Sequence, residues 1–350
     1  MKLTKKSRSM TANILFICGS LNQTTIMHKI AKELSEFNVF FTPFYADGLI
    51  GLAAKARLAE FSILGGRHRK ATEAYLAREN LPVDFGGKSR SYDGVVTCTD
   101  LIVQRNVRGK RLVLVQEGMT EGEDFRYHLV KHLKLPRFLA NTAATGLSDA
   151  YHVFCVASPG YRDLFIRKGV KPEKIVVTGI PNFDNAVEYL NNDFPLRGYV
   201  LVATSSIRET LKFDDREHFL QNVRRIAAGR QVIFKLHPNE DSIRAVNEIR
   251  KYFPDAPIYT DGNVHHMIAN CDVLIAQNSS VIYTALALGK EVHSYLHLET
   301  LRKLLPIQNG GQSAKRIAEI CRQLVYTPLA ELNRSGFRIR LRKTWETLSS

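Results

Sequence analysis

Short apolar runs alternate along this chain with longer stretches in which apolar residues recur every three or four positions. Residues 13–18 read as a first strand, 19–25 as a polar loop, and 26–37 as a helix with Ile26, Ile30, Ala31 and Leu34 on one face. Further strands are predicted over 39–45, 94–98, 111–115, 153–156 and 175–178. Beyond a polar stretch rich in turn residues at 191–198, strands follow over 199–203, 232–236 and 273–276, with helices near 216–228, 265–270 and 281–288. These runs are too short for helices and are rich in β-branched residues, as expected of parallel strands covered on both faces. Strands alternating with helices predict parallel sheets between helical layers. A length of 350 residues suggests about two domains at roughly 150 residues each. They are placed at 12–190 and 198–330, followed by a basic tail at 331–350 able to pack back on the first domain. No repeat of 20 to 50 residues is visible.

Composition narrows the class. With 45% hydrophobic and 24% charged residues the chain can bury real cores, and no apolar run approaches the roughly 20 residues of a membrane span. The basic start is followed by a short strand-like run rather than a signal peptide core. Cys18, Cys98, Cys155, Cys271 and Cys321 are scattered without a CxxC, which predicts reduced thiols in a cytoplasmic protein. The net charge of +15 favours an anionic partner: a nucleotide-activated substrate, an anionic lipid surface or nucleic acid. Basic clusters lie at 67–70, 105–111 and 334–343, and each also reads as a solvated face. In the last, Phe337, Ile339 and Leu341 interleave with arginines, making it the best membrane candidate of the three, although period two is not the pattern of an interfacial helix. A nucleic-acid partner is not indicated, since no RRM, helix-turn-helix or finger signature accompanies the charge.

In open α/β sheets ligands sit beyond the carboxyl ends of the strands. Two such ends stand out: Lys235-Leu236-His237-Pro238 and Gln277-Asn278-Ser279-Ser280. Ser279 and Ser280, with Asn278 beside them, offer hydroxyls and the N–H groups of a helix start to a phosphate. Arg208 and Lys235 are candidate charge partners, and His237, beside Pro238, a candidate phosphate contact. Each has a structural reading as well: N-cap serines, an edge lysine, a histidine bracing a loop. In the first domain Gly19 and Ser20 open a loop that can approach an acceptor closely. Glu117, between Gln116 and Gly118, is the preferred general base, because partial burial would raise its pKa, and Asp100 is the second choice. Either carboxylate also reads as an ordinary loop residue or cap. The chain lacks GxGxxG and GxxxxGK[ST], so no dinucleotide or ATP loop is indicated. His128 and His132 share a helix face without a third ligand, and His265-His266 likewise stand alone; no metal and no cofactor are expected.

The order of these segments resembles the GT-B superfamily. The branch is that of the non-hydrolysing UDP-N-acetylglucosamine 2-epimerases, with similarity to teichoic-acid and capsule transferases that use CDP-glycerol or nucleotide sugars. The supporting segments are Gly19-Ser20, Thr97-Cys98-Thr99-Asp100, Val115-Gln116-Glu117-Gly118, Val177-Thr178-Gly179-Ile180-Pro181-Asn182, Lys235-Leu236-His237-Pro238 and Ser279-Ser280. The resemblance implies that Asp100 and Glu117 match the epimerases' proton-transfer carboxylates. Against His-Arg-Arg-Glu this chain has Ser206-Ile207-Arg208-Glu209, and against Asp-Ser-Gly-Gly-Ile-Gln-Glu-Glu it runs from Gln277 to Thr284 without the glutamates. Gln277 also stands where the CDP-glycerol enzymes carry an acid. The resemblance thus implies an α/β, GT-B-like fold of two Rossmann-like doubly wound domains facing a central cleft. It implies a metal-independent glycosyltransferase or glycerophosphotransferase, taking a UDP- or CDP-linked donor to a saccharide or lipid-linked acceptor in envelope polysaccharide assembly. Such an enzyme would be cytoplasmic and peripheral at the inner face of the plasma membrane. A UDP-N-acetylglucosamine 2-epimerase-like isomerase and a catalytically inactive binding protein are the alternatives.

Overall fold

Two all-parallel sheets organise the chain, and each belongs to its own compact unit. The computed structural model describes residues 11–48, 51, 66–210, 213–277, 279–334 and 338–339. The first unit runs through Asp184 and resumes at Asn309; the second spans Asn185–Gln308.

The first unit contains β1 (Asn13–Ile17), α1 (Leu21–Lys32), β2 (Asn38–Thr42), α2 (Gly66–Arg78), β3 (Gly94–Thr97) and β4 (Arg111–Val115). It continues with α3 (Phe125–His132), β5 (Val153–Val156), α4 (Pro159–Lys168) and β6 (Ile175–Val177). Its sheet order is β2-β1-β3-β4-β5-β6, and every pairing is parallel. Ile14, Leu15 and Phe16 of β1 are fully buried, which is why the run is continuously apolar. Side-chain caps start the helices: Ser158 Oγ accepts from the Tyr161 amide, with Pro159 at the first turn of α4, and Gly169 ends that helix at φ 110°.

The second unit contains β7 (Val200–Ala203), α5 (Arg216–Ala227), β8 (Val232–Lys235), α6 (Ser242–Tyr252) and β9 (Ile258–Tyr259). After these come α7 (Val264–Asn270), β10 (Val273–Ala276), α8 (Val281–Ala287), β11 (Glu291–His293) and α9 (Leu298–Leu304). The order is β11-β10-β7-β8-β9, again parallel. Phe219, Leu220 and Val223 of α5 pack on Val202 and Phe234 in one buried cluster.

Two expectations need correction. The predicted loop 19–25 is mostly helix: α1 starts at Leu21, capped by Ser20, and buries Gln23 and Thr24. Buried polar side chains gave this turn the look of a loop. The expected second domain, 198–330, overruns its unit. Residues from Asn309 return to the first unit, where α10 (Ser313–Tyr326) buries Ile317, Ile320, Cys321 and Leu324, followed by α11 (Leu329–Leu332). The Ser313 amide donates to Asp184 Oδ2 at 2.8 Å, and the Asn309 amide to the Asp184 carbonyl at 2.9 Å. Periodicity shows that α10 has an apolar face, not which sheet that face covers. Most of the 331–350 tail lies outside the described residues. All five cysteines are free and buried, and burial pushes the Cys18 and Cys321 thiols up to about 12. Among the described residues no helix is long and apolar enough to cross a membrane.

Candidate functional site

Each sheet reverses its winding once, between β1 and β3 in the first unit and between β7 and β10 in the second. Carboxyl-end loops at such a switch point form a crevice.

In the first unit the loop after β4 carries Glu117, half-buried. Ser20 Oγ donates to its Oε1 at 2.9 Å and Asn22 Nδ2 at 3.2 Å, while Gln23 Nε2 donates to Oε2 at 2.6 Å. The first turn of α1 therefore holds the carboxylate by neutral donors. Asn182 braces that turn from the loop after β6, donating to Asn22 Oδ1 and to Thr25 Oγ1, each at 2.8 Å. Gln116 fixes the Glu117 loop, donating to the Gly118 carbonyl at 2.8 Å and accepting from the Ala157 amide at 2.9 Å. Gly19 has a packing role: a Cβ there would lie 2.3 Å from Gln23 Oε1. Ser20 is both the cap of α1 and a partner of Glu117.

Asp100 is sealed from solvent. Its side chain is fully buried, and the Gly146 and Ser148 amides donate to its two oxygens at 2.9 Å each. Burial pushes the carboxyl up while these backbone bonds pull it down. The residue closes the 146–148 turn, with one backbone amide on each oxygen.

In the second unit a closed ring of buried side chains joins the ends of three strands. Ser205 Oγ donates to Gln277 Oε1 at 2.6 Å, and Gln277 Nε2 donates to Asp214 Oδ1 at 2.7 Å. Arg216 Nε meets Asp214 Oδ2 at 3.3 Å, its other end bonds Glu240, and Glu240 accepts from Thr204 Oγ1. Burial pushes the Glu240 carboxyl up, against the pull of Arg216 and Thr204. Sequence reasoning missed Thr204, Ser205, Asp214, Arg216 and Glu240 as a group. The one available signal was the charged triplet Asp214-Asp215-Arg216 directly at a helix start.

Two predicted phosphate partners are committed elsewhere. Arg208 forms a forked pair with Glu248 at 2.8 and 2.7 Å and approaches Asp214 at 3.6 Å. The Lys235 ammonium is buried and donates to the Leu236 and Thr260 carbonyls at 2.8 and 2.9 Å, tying β8 to the end of β9. Burial lowers its pKa. The sequence admitted an edge lysine, but β8 is internal and the backbone after the edge strand β9 captures the ammonium.

His237 is half-buried; its amide donates to Thr204 Oγ1 and its Nδ1 accepts from the Asn239 amide, both at 3.1 Å, while Pro238 is exposed. Ser279 and Ser280 are partly exposed, and the Ser280 hydroxyl makes no cap bond. The amides of Ile282 and Tyr283 already donate to the Ser279 and Ser280 carbonyls, so this end offers hydroxyls rather than a row of helix amides. Asn278 lies outside the described residues. A cavity of about 570 Å³ opens beside the loop after β9, between Phe194, Tyr259 and His266. Asp193 and Asp261 line it, which disfavours a phosphate there. Among the described residues no trio of His, Cys, Asp or Glu converges in metal-binding geometry.

No protein-family model matches the sequence, and no curated protein matches it. Solved structures do. The chain is similar to the UDP-GlcNAc 2-epimerase from Neisseria meningitidis bound to UDP-GlcNAc, at 12% identity and a TM-score of 0.58, over 89% of this chain and 100% of that one. S. aureus MnaA in complex with UDP is similar at 12% identity and a TM-score of 0.53, over 88% and 95%. The wall teichoic acid polymerase TagF, as its H444N form with CDPG, matches at 10% identity and a TM-score of 0.50, over 89% and 88%. At such identities the likeness shows the fold, which is α/β of the GT-B type.

Proposed function

We propose that this protein is a metal-independent, nucleotide-dependent transferase. It moves a glycosyl or polyol-phosphate group from a UDP- or CDP-linked donor to a saccharide or lipid-linked acceptor of envelope polysaccharide, in the cytoplasm. The observation that carries the reading is the contrast between two carboxylates. Glu117 is half-buried, held by neutral donors from the first turn of α1; Asp100 is sealed by backbone amides.

One available carboxylate suits group transfer. Glu117 takes the proton of the acceptor hydroxyl as the new bond forms to the transferred carbon or phosphorus, and the donor's bond to its nucleotide breaks. The leaving group is the nucleoside diphosphate when the donor is a sugar nucleotide, and CMP when it is a CDP-polyol. Epimerisation by elimination and readdition needs two proton-transfer groups of different protonation, and the burial of Asp100 favours transfer over that route. In the second unit Ser279, Ser280 and His237 are assigned to the donor phosphates. Arg208 and Lys235 are not.

Thermal shift against UDP, CDP, CMP and GDP tests the binding half: a nucleotide response lost in the Ser279→Ala, Ser280→Ala double variant supports the assignment. Silence towards every nucleotide would indicate an unrelated binding module. Glu117→Gln should keep the nucleotide shift and abolish transfer, lowering kcat by about 100-fold or more. Sugar interconversion without any acceptor would establish the isomerase instead.

A further inference from the structure

Helix α3 carries an apolar stripe that faces away from the protein. Its other side anchors it: Tyr127 and Val130 pack on Ala140, Ala143 and Ala144. Phe125, Leu129 and Leu133 then follow at steps of four, within an arc of about 80° at 100° per residue, and are 78%, 40% and 55% exposed. Leu135 and Leu139, beyond the helix, are exposed as well. Single exposed leucines need no explanation, but five large apolar side chains exposed between residues 125 and 139 call for a partner.

Charge indicates which partner. Residues 125–148 contain no Asp or Glu, yet include Arg126, Lys131, Lys134 and Arg137, with His128 and His132 between them. Arg126 and Lys134 are exposed. Lys131 also reaches the Lys168 carbonyl and Arg137 the Asp100 carbonyl. The acidic residues Glu121, Glu123 and Asp124 all lie before the helix, Asp124 as its N-cap, so cations border the patch towards its C-terminal half. An aromatic and several leucines edged by Lys and Arg is the chemistry that inserts below anionic headgroups and pairs with them. We propose that α3 and the following segment 133–139 dock the first unit onto an anionic phospholipid bilayer. The loop carrying Glu117 leads directly into α3, so docking brings that carboxylate's loop to the membrane, where a lipid-linked acceptor would be met. Only this last step rests on the transferase reading.

The test is co-sedimentation of the full-length protein with phosphatidylcholine vesicles and with equimolar phosphatidylcholine and phosphatidylglycerol vesicles. Binding is expected to the anionic vesicles alone and to fade at about 0.5 M salt. Phe125→Ser with Leu129→Ser should lower the partition coefficient at least about tenfold. Both sites are exposed, so melting and nucleotide response should stay unchanged, which separates failure here from failure of the transferase assignment. Phe125→Trp in a Trp345→Phe background should blue-shift its emission on vesicle binding. The proposal is overturned if the double variant sediments like the parent, or if deleting 334–350 alone abolishes binding. It is equally overturned if the parent ignores vesicles and forms a dimer that the double variant breaks, which would assign the patch to a second copy.

Discussion

Gln277→Glu is the most demanding test of the buried ring in the second unit. Gln277 is 1% exposed, and its amide joins two groups of opposite requirement: it accepts from Ser205 and donates to Asp214 at 2.7 Å. A carboxylate of the same shape can still accept from Ser205 but must face Asp214 as a like charge. Two such charges about 4 Å apart repel by about 4 kcal/mol at an effective dielectric constant of about 20. Arg216 and Arg208 nitrogens at 3.3 and 3.6 Å from Asp214 attract either carboxylate, and leave a net cost of about 2 to 3 kcal/mol. At about 1.4 kcal/mol per unit, that raises the folded-state pKa of the introduced carboxyl by about two units, from about 4.3 to roughly 6. A raised folded pKa for an acid means that the folded state binds the extra proton. The deficit relative to the parent is therefore complete above about pH 6 and shrinks as pH falls towards about 4.3, where the protonated group can donate to Asp214 as the amide did. Urea unfolding read by hydrogen exchange on peptides covering β7, β8 and β10 measures it locally. A variant as stable as the parent at pH 8, or a deficit equal at pH 5 and pH 8, would refute the reasoning.

The remaining predictions concern the two cations removed from the phosphate site. The Arg208 hydrogen bonds hold the Glu248 carboxyl below its usual range. That depressed value contributes stability above the unfolded pKa of about 4.3, which is lost as pH falls through the folded value. Glu248→Gln should accordingly cost about 1 kcal/mol at pH 7 and progressively less as pH falls below the unfolded pKa, measured by urea titration of parent and variant across that range. Lys235→Met should lower stability by about 2 kcal/mol, because the Leu236 and Thr260 carbonyls lose their donor. Its nucleotide affinity should stay within about twofold by calorimetry; a tenfold loss would return the lysine to the phosphates.

What the sequence determined by itself is the layered parallel architecture. Strands such as β4, β5 and β10 are covered on both faces, so each is an unbroken apolar run bounded by polar turns, a property that needs no partner to be visible. The order of the carboxyl-end loops was likewise legible, and with it the location of Glu117, Ser20 and Ser279 at sheet ends. The start of α1 was hidden because Gln23 and Thr24 are polar yet buried, and α10 was placed in the wrong domain because an amphipathic helix does not declare which sheet it covers. The roles of individual charges were decided only in three dimensions. Asp100 is bound by amides 46 and 48 residues away, and Arg208 by Glu248 at a separation of 40. Burial pattern is a local consequence of side-chain hydrophobicity, whereas the availability of a carboxylate, lysine or arginine depends on which distant donors and acceptors the fold brings against it. That pairing is a property of tertiary packing alone.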